Sequence, residues 1–193
     1  VRLLFDAVDM LRQHVTPDVR IHGYIKDGGK ASNIVPDYTS AEFLARADKR
    51  EYLNDITEWV KDCARAAALA TRTELKINPV GAPFDDLSSY ETAEALLKNI
   101  FETLDLAVTD LSREGGGSSD IGNVDHVCPA FQPFLGIHVP YALHTKEFAE
   151  AMKSEDTHEA IRKGGAIISS FIMHVYNDDK ILEGIKADYK KKN

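Results

Sequence analysis

Apolar residues along the first segment recur at helical spacing. Leu4, Ala7, Val8, Leu11 and Val15 share one stripe of residues 3–15, which predicts an amphipathic helix ended by Thr16-Pro17-Asp18. The period then drops to two. Val19, Ile21, Gly23 and Ile25 alternate with Arg20, His22, Tyr24 and Lys26, the pattern of a half-buried strand, and Asp27-Gly28-Gly29 is turn chemistry. A second strand is predicted over residues 41–47. Helical spacing returns over 49–71, with Leu53, Ile56, Val60, Cys63 and Ala67 on one stripe and Trp59 beside it. Residues 74–78 read as a short strand with Leu75 and Ile77 inward, stopped by Pro79. The order helix, strand, strand, helix, strand predicts an α+β layer in which two helices cover one face of an antiparallel sheet. A complete unit of that kind needs one more strand ahead of the first helix.

Asn78-Pro79-Val80-Gly81-Ala82-Pro83 breaks the composition and places a domain boundary near Pro79. Beyond it, Ser88 followed by Glu91 has capping-box spacing for a helix running to about residue 110, with Leu96, Leu97, Ile100, Phe101 and Leu104 on its buried face. A glycine-rich loop follows. The apolar runs 127–130 and 134–139 then read as short buried strands of a central sheet. An apolar helix over 157–176 is expected to pack on that sheet, and a polar helix over 178–192 ends the chain.

Composition narrows the function classes. The chain has 193 residues, 44% of them hydrophobic, enough for one large domain or two small ones. A net charge of −8 and a pI near 5.3 argue against nucleic acid or an anionic membrane as the main partner. No apolar run approaches the roughly 20 residues that span a bilayer. No secretory signal is visible at Val1, and Cys63 and Cys128 read as buried thiols of a reducing compartment, so a cytoplasmic location is expected.

The loop Gly115-Gly116-Gly117-Ser118-Ser119-Asp120 lets backbone approach something small and polar, or it merely turns the chain. It has no G-x-x-x-x-G-K-[ST] pattern, which speaks against a phosphate cradle. More specific is the ordered set His22-Gly23-Tyr24-Ile25, Asp27-Gly28-Gly29, Asn33-Ile34-Val35-Pro36, Arg46-Ala47, then Gly117-Ser118-Ser119-Asp120-Ile121-Gly122-Asn123-Val124, then His144-Thr145-Lys146-Glu147-Phe148. Together these resemble the metal-dependent amidohydrolase and exopeptidase family, which includes carboxypeptidase G, aminoacylase, hippurate hydrolase, the aminobenzoyl-glutamate hydrolase subunits and dipeptidase-like proteins. The match runs nearly end to end.

That resemblance implies an α/β chain: a partial α+β dimerisation lid over residues 1–78, its antiparallel sheet covered by two helices, then the C-terminal portion of an α/β zinc-hydrolase catalytic domain over 79–193. The family holds two zinc ions, or manganese or cobalt, and hydrolyses an amide bond of an N-acyl amino acid, an aminobenzoyl-glutamate-like compound or a dipeptide. It works as a homodimer joined through the lid. The resemblance further implies that this chain begins inside the lid's first helix, without the histidine-rich ligand motif, the bridging aspartate and the paired glutamates. The chain alone is therefore expected to be inactive and to hold no metal tightly. The alternative is a non-catalytic dimerisation or interaction module.

Site roles follow from the same resemblance. His144 matches the last zinc ligand; a lone His-Thr pair would otherwise be an ordinary histidine. His22 matches the lid histidine that holds the oxyanion, or is a polar strand residue. Asn33 and Arg46 match residues that bind the substrate's carboxylate or carbonyl; otherwise Asn33 shapes the turn before Pro36 and Arg46 is a strand-edge charge. Gly117, Ser118 and Asp120 match the substrate-side loop, where Asp120 orients a ligand, accepts a substrate amine, or simply caps a turn. His126 departs from the pattern and could line a cleft with His138, while His14, His158 and His174 read as structural.

Overall fold

The first apolar stripe forms α1 (Arg2–Leu11) in a computed structural model of the chain, which describes residues 1–108 and 117–192. A 3-10 turn, Arg12–His14, ends it. Strands β1 (Arg20–Asp27) and β2 (Ser40–Arg46) pair antiparallel, with a bulge between Ile25 and Asp27. Helix α2 (Arg50–Thr71) completes the layer. Val8 and Ile56, from α1 and α2, are fully buried against Val19 and Ile21, and Leu4, Leu11, Val15, Phe43, Ala45, Val60 and Cys63 close around them. Each such aliphatic side chain contributes roughly 1.5–3 kcal/mol by leaving water. These elements belong to a first unit, Val1–Asp86; a second comprises Leu87–Asn193.

Gly23 occupies a close approach in the first unit. A Cβ there would lie 2.5 Å from Phe43 Cε1 and 2.7 Å from Cδ1, so the ring occupies the space a side chain would need, and Phe5 packs on it with ring centroids 4.8 Å apart. Gly23→Ala must displace that ring. A loss of about 1–3 kcal/mol is expected, read as a lower unfolding midpoint, with most of it recovered by Gly23→Ala combined with Phe43→Leu.

The expected strand over 74–78 does not form. Leu75 and Ile77 are 39% and 44% exposed, and the segment carries no regular secondary structure. Charge ties the chain beyond it, at Asp85 and Asp86, to the start of α2. The residue at the N-cap of α2 is Lys49, which has no capping oxygen, and the Asp86 carboxylate takes that role by accepting from the Arg50 N–H at 2.9 Å. Lys49 Nζ binds the same carboxylate at 2.7 Å, and Arg50 pairs with Asp85 at 3.3 Å. Burial raises the Asp86 carboxyl, but the hydrogen bonds from Lys49 and Arg50 outweigh it and hold it below its ordinary value.

In the second unit, α3 (Glu91–Thr103) packs between α6 (Glu155–Asn177) and α7 (Asp179–Lys192), with short helices α4 (Ile121–Asp125) and α5 (Lys146–Ala151) between them in sequence. Leu96, Ile100 and Ile167 form one core cluster and Tyr90, Ala93 and Ile185 another. The capping box at Ser88 is absent. Tyr90 stands at the N-cap, and Asp188, 96 residues away on α7, accepts from both the Thr92 N–H at 2.9 Å and its hydroxyl at 2.8 Å. A carboxylate at a helix N-terminus satisfies a free N–H and complements the dipole, whichever part of the chain supplies it. Helix α3 also ends earlier than expected, where Asp105 adopts φ +55° and the Leu106 N–H reaches back to Phe101 C=O at 2.9 Å. Residues 109–110, Gly115 and Gly116 lie outside the described residues.

The strands expected over 127–130 and 134–139 are absent too. Val127 is 79% and Phe134 69% exposed, and no third strand exists among the described residues for these runs to pair with. An apolar run needs a neighbouring strand before its backbone groups can enter a sheet. Helix α6 accordingly packs on α3 and α7 rather than on a sheet, and its other face stays open at Ile161, Ile168, Ile172 and Tyr176. Cys128 is exposed, not buried, while Cys63 lies half-buried on α2, where burial raises its thiol pKa. No helix among the described residues is long and apolar enough to cross a membrane.

Candidate functional site

The β1–β2 register decides which sequence-predicted residues meet. Arg20 lies opposite Arg46, His22 opposite Leu44, and Tyr24 opposite Glu42. Because side chains alternate, all six stand on one face, and it is the face turned away from the core built on Ile21 and Phe43. Tyr24 and Leu44 are 53% and 54% exposed there. His22 and Arg46 are diagonal neighbours, a relation that puts Cα atoms about 7–8 Å apart. An imidazole and a guanidinium with no hydrogen bond or ion pair to other described residues thus share one open surface.

Asn33 is not on that face. It lies exposed in the β1–β2 connection, at the third position of a turn closed by the Ile34 N–H on Ala31 C=O at 3.3 Å. That placement fits its turn-shaping reading at least as well as a substrate contact.

In the second unit, Gly117 and Ser118 are exposed and Asp120 precedes α4. The Asp120 side chain makes no cap bond; its backbone carbonyl accepts from Asn123 N–H at 3.0 Å, and Ser119 Oγ accepts from Ile121 N–H at 3.2 Å. Turn-capping is therefore done by Ser119, leaving the Asp120 carboxylate in solvent. His144 has φ +66°, a left-handed conformation uncommon for a residue with a side chain. Thr145 brackets it, donating to Ala142 C=O at 2.8 Å and accepting from Phe148 N–H at 3.2 Å as the N-cap of α5. The turn leaves the His144 imidazole exposed.

Sequence reasoning missed the most buried polar residue of this unit. Asp125, 1% exposed at the end of α4, accepts from Tyr90 Oη at 2.5 Å, Ser88 N–H at 2.7 Å and Ala130 N–H at 3.1 Å. Burial pushes its carboxyl up, but the bonds from Tyr90, Ser88 and Ala130 more than offset this and keep it ionised below the usual carboxylate range. The Tyr90 hydroxyl is pushed up by the same burial and by the adjacent negative charge. Asp125 is five residues from Asp120, yet one is a buried structural anchor and the other an exposed candidate.

No three His, Cys, Asp or Glu side chains gather to hold a metal ion among the described residues. His144 alone does not fit a pair of zinc ions, which need three or four protein ligands each or in bridging share.

The chain is similar to two dipeptidases. The Xaa-Arg dipeptidase of Homo sapiens is 30% identical over 194 aligned residues, covering 98% of this chain and 44% of the relative. The Xaa-Arg dipeptidase of Mus musculus is 29% identical over 197, covering 98% and 45%. The chain thus spans less than half the length of the curated relatives it matches. No protein-family model matches it.

Proposed function

We propose that this chain is part of an amidohydrolase or peptidase that cleaves the amide bond of a small acyl amino acid or dipeptide, dipeptides ending in arginine foremost. The observation that carries the reading is the shared open face of β1 and β2, which presents His22 beside Arg46. The likeness to two Xaa-Arg dipeptidases across 98% of the chain supports the same class. Amide hydrolysis adds water oxygen to the carbonyl carbon, places negative charge on the carbonyl oxygen, and returns a proton to the leaving nitrogen. An imidazole N–H from His22 is suited to donate to that oxygen, and the Arg46 guanidinium to hold the substrate's carboxylate through two parallel hydrogen bonds. Metal dependence belongs to this proposal, with His144 as one ligand and the others outside the described residues.

Release of free arginine from Ala-Arg by the intact protein tests the reading, and absence of turnover on any dipeptide or N-acyl amino acid would overturn it. For the chain by itself we expect weak zinc binding below one ion per chain, because one imidazole cannot hold zinc against water. Tight one-to-one zinc, lost in both His144→Ala and His126→Ala, would mean that the ligand is misassigned.

A further inference from the structure

The open face of β1 and β2 is electrically polarised along its length. At one end stand Arg20 and Arg46, directly opposite one another, an arrangement of like charges that costs stability unless an anion lies between them. Arg20 is partly committed, since its guanidinium donates to Pro17 and Val19 carbonyls. Arg46 is not. At the other end Tyr24 Oη donates to Glu42 Oε2 at 3.2 Å, which fixes the carboxylate and leaves Oε1 uncommitted. Glu42 forms no ion pair among the described residues. Lys26, the next residue of that face, sits at the bulge and forms no ion pair with Glu42.

Between the ends lie His22 and Leu44. Glu42 and Arg46 are four residues apart on β2, about 13 Å at roughly 3.3 Å per residue. A ligand that satisfies both ends carries an anion and a cation joined by a flexible apolar stem. A C-terminal arginine or lysine residue has that form: its carboxylate meets Arg46, its methylenes pass over Leu44, and its cationic head meets Glu42. A neutral or acidic side chain would leave the carboxylate of Glu42 unpaired.

We infer that Glu42, oriented by Tyr24, selects substrates whose C-terminal residue has a cationic side chain. This rests on the hydrolase reading above. The test is the ratio of kcat/KM for Ala-Arg over Ala-citrulline, which replaces the guanidinium by a neutral urea of the same shape, measured on the intact protein. Glu42→Gln is expected to lower that ratio about tenfold, the low end for a hydrogen bond to a charged group because the face is open to solvent. Glu42→Asp should restore part of it, and Tyr24→Phe should cause a smaller loss, since tyrosine only positions the carboxylate. If both peptides are cleaved and Glu42→Gln leaves the ratio at its wild-type value, the inference fails while the hydrolase reading stands. If the wild-type protein cleaves neither peptide but cleaves other amides, the inference fails by itself; if it cleaves no amide, both fail.

Discussion

Asp125→Ala is expected to unfold much of the second unit while leaving the first intact. The substitution removes one acceptor that serves three donors: the Tyr90 hydroxyl, the Ser88 N–H and the Ala130 N–H. Each buried donor left without a partner costs about 1–3 kcal/mol, and partial access of water to the two backbone groups brings the sum to about 3–5 kcal/mol. Against a domain stability of about 5–15 kcal/mol, that is a large fraction. Tyr90 is also the centre of an aromatic cluster, edge-on to Phe131 at 5.6 Å and stacked on Tyr189 at 6.2 Å, so a misplaced hydroxyl disturbs packing as well. Denaturation followed by circular dichroism should show an early transition in Asp125→Ala and a later one unchanged from wild type. Asp125→Asn, which keeps one acceptor oxygen, should lose less. Acid has the same target. Asp125 and Asp188 both have depressed carboxyl values in the folded unit, Asp188 chiefly through its bonds from Thr92, so the stability they contribute is fully present above the ordinary aspartate value of about 3.9 and is lost as pH falls through their folded values. The second unit of Asp125→Asn should therefore show a shallower loss of stability than wild type as pH falls below about 4.

Asp125 also marks the limit of what one sequence discloses. Amphipathic stripes are local, and they located α1 and α2 to within a few residues, because the 3.6 period needs only the segment itself; the apolar run of α6 and the polar run of α7 were placed as closely. The alternation over β1 likewise placed His22, Arg20 and Tyr24 on one face before any register was known. Pairings are not local. Neither the cap of α2 by Asp86 nor that of α3 by Asp188 leaves a trace near the helix it serves, and the Ser88–Glu91 spacing pointed to a capping box that does not form. The apolar runs around Val127 and Phe134 match a buried strand and an exposed irregular segment equally well, since periodicity cannot say whether a neighbour is there. One start signal could have been read: Thr145 followed by Glu147 and Phe148 has the chemistry of a helix N-terminus, and α5 begins there. For the candidate site, the resemblance named His22 and Arg46 separately; only the register joins them to Glu42.

If the intact protein catalyses the proposed amide hydrolysis with His22 as the oxyanion donor, His22→Ala should lower its kcat by about 10²–10³ while KM stays close to wild type. The structure makes this a clean experiment. His22 is exposed, stands opposite Leu44 in the strand pair, and its imidazole makes no hydrogen bond to any described residue, so truncation removes no side-chain bond that holds the fold. Stability should move by no more than about 0.5 kcal/mol, the range for surface positions, and a fall in kcat then belongs to the reaction. Arg46→Ala should behave differently. Its guanidinium would hold the substrate's carboxylate equally in the ground and transition states, so its loss raises KM for free carboxylates and spares kcat. Comparing Ala-Arg with its methyl ester separates the two, because the ester has already lost what Arg46 binds: Arg46→Ala should hardly affect the ester, whereas His22→Ala should slow both substrates alike. A His22→Ala enzyme with wild-type kcat on Ala-Arg would make that histidine a polar residue of β1 and nothing more, and the oxyanion would have to be held by another group.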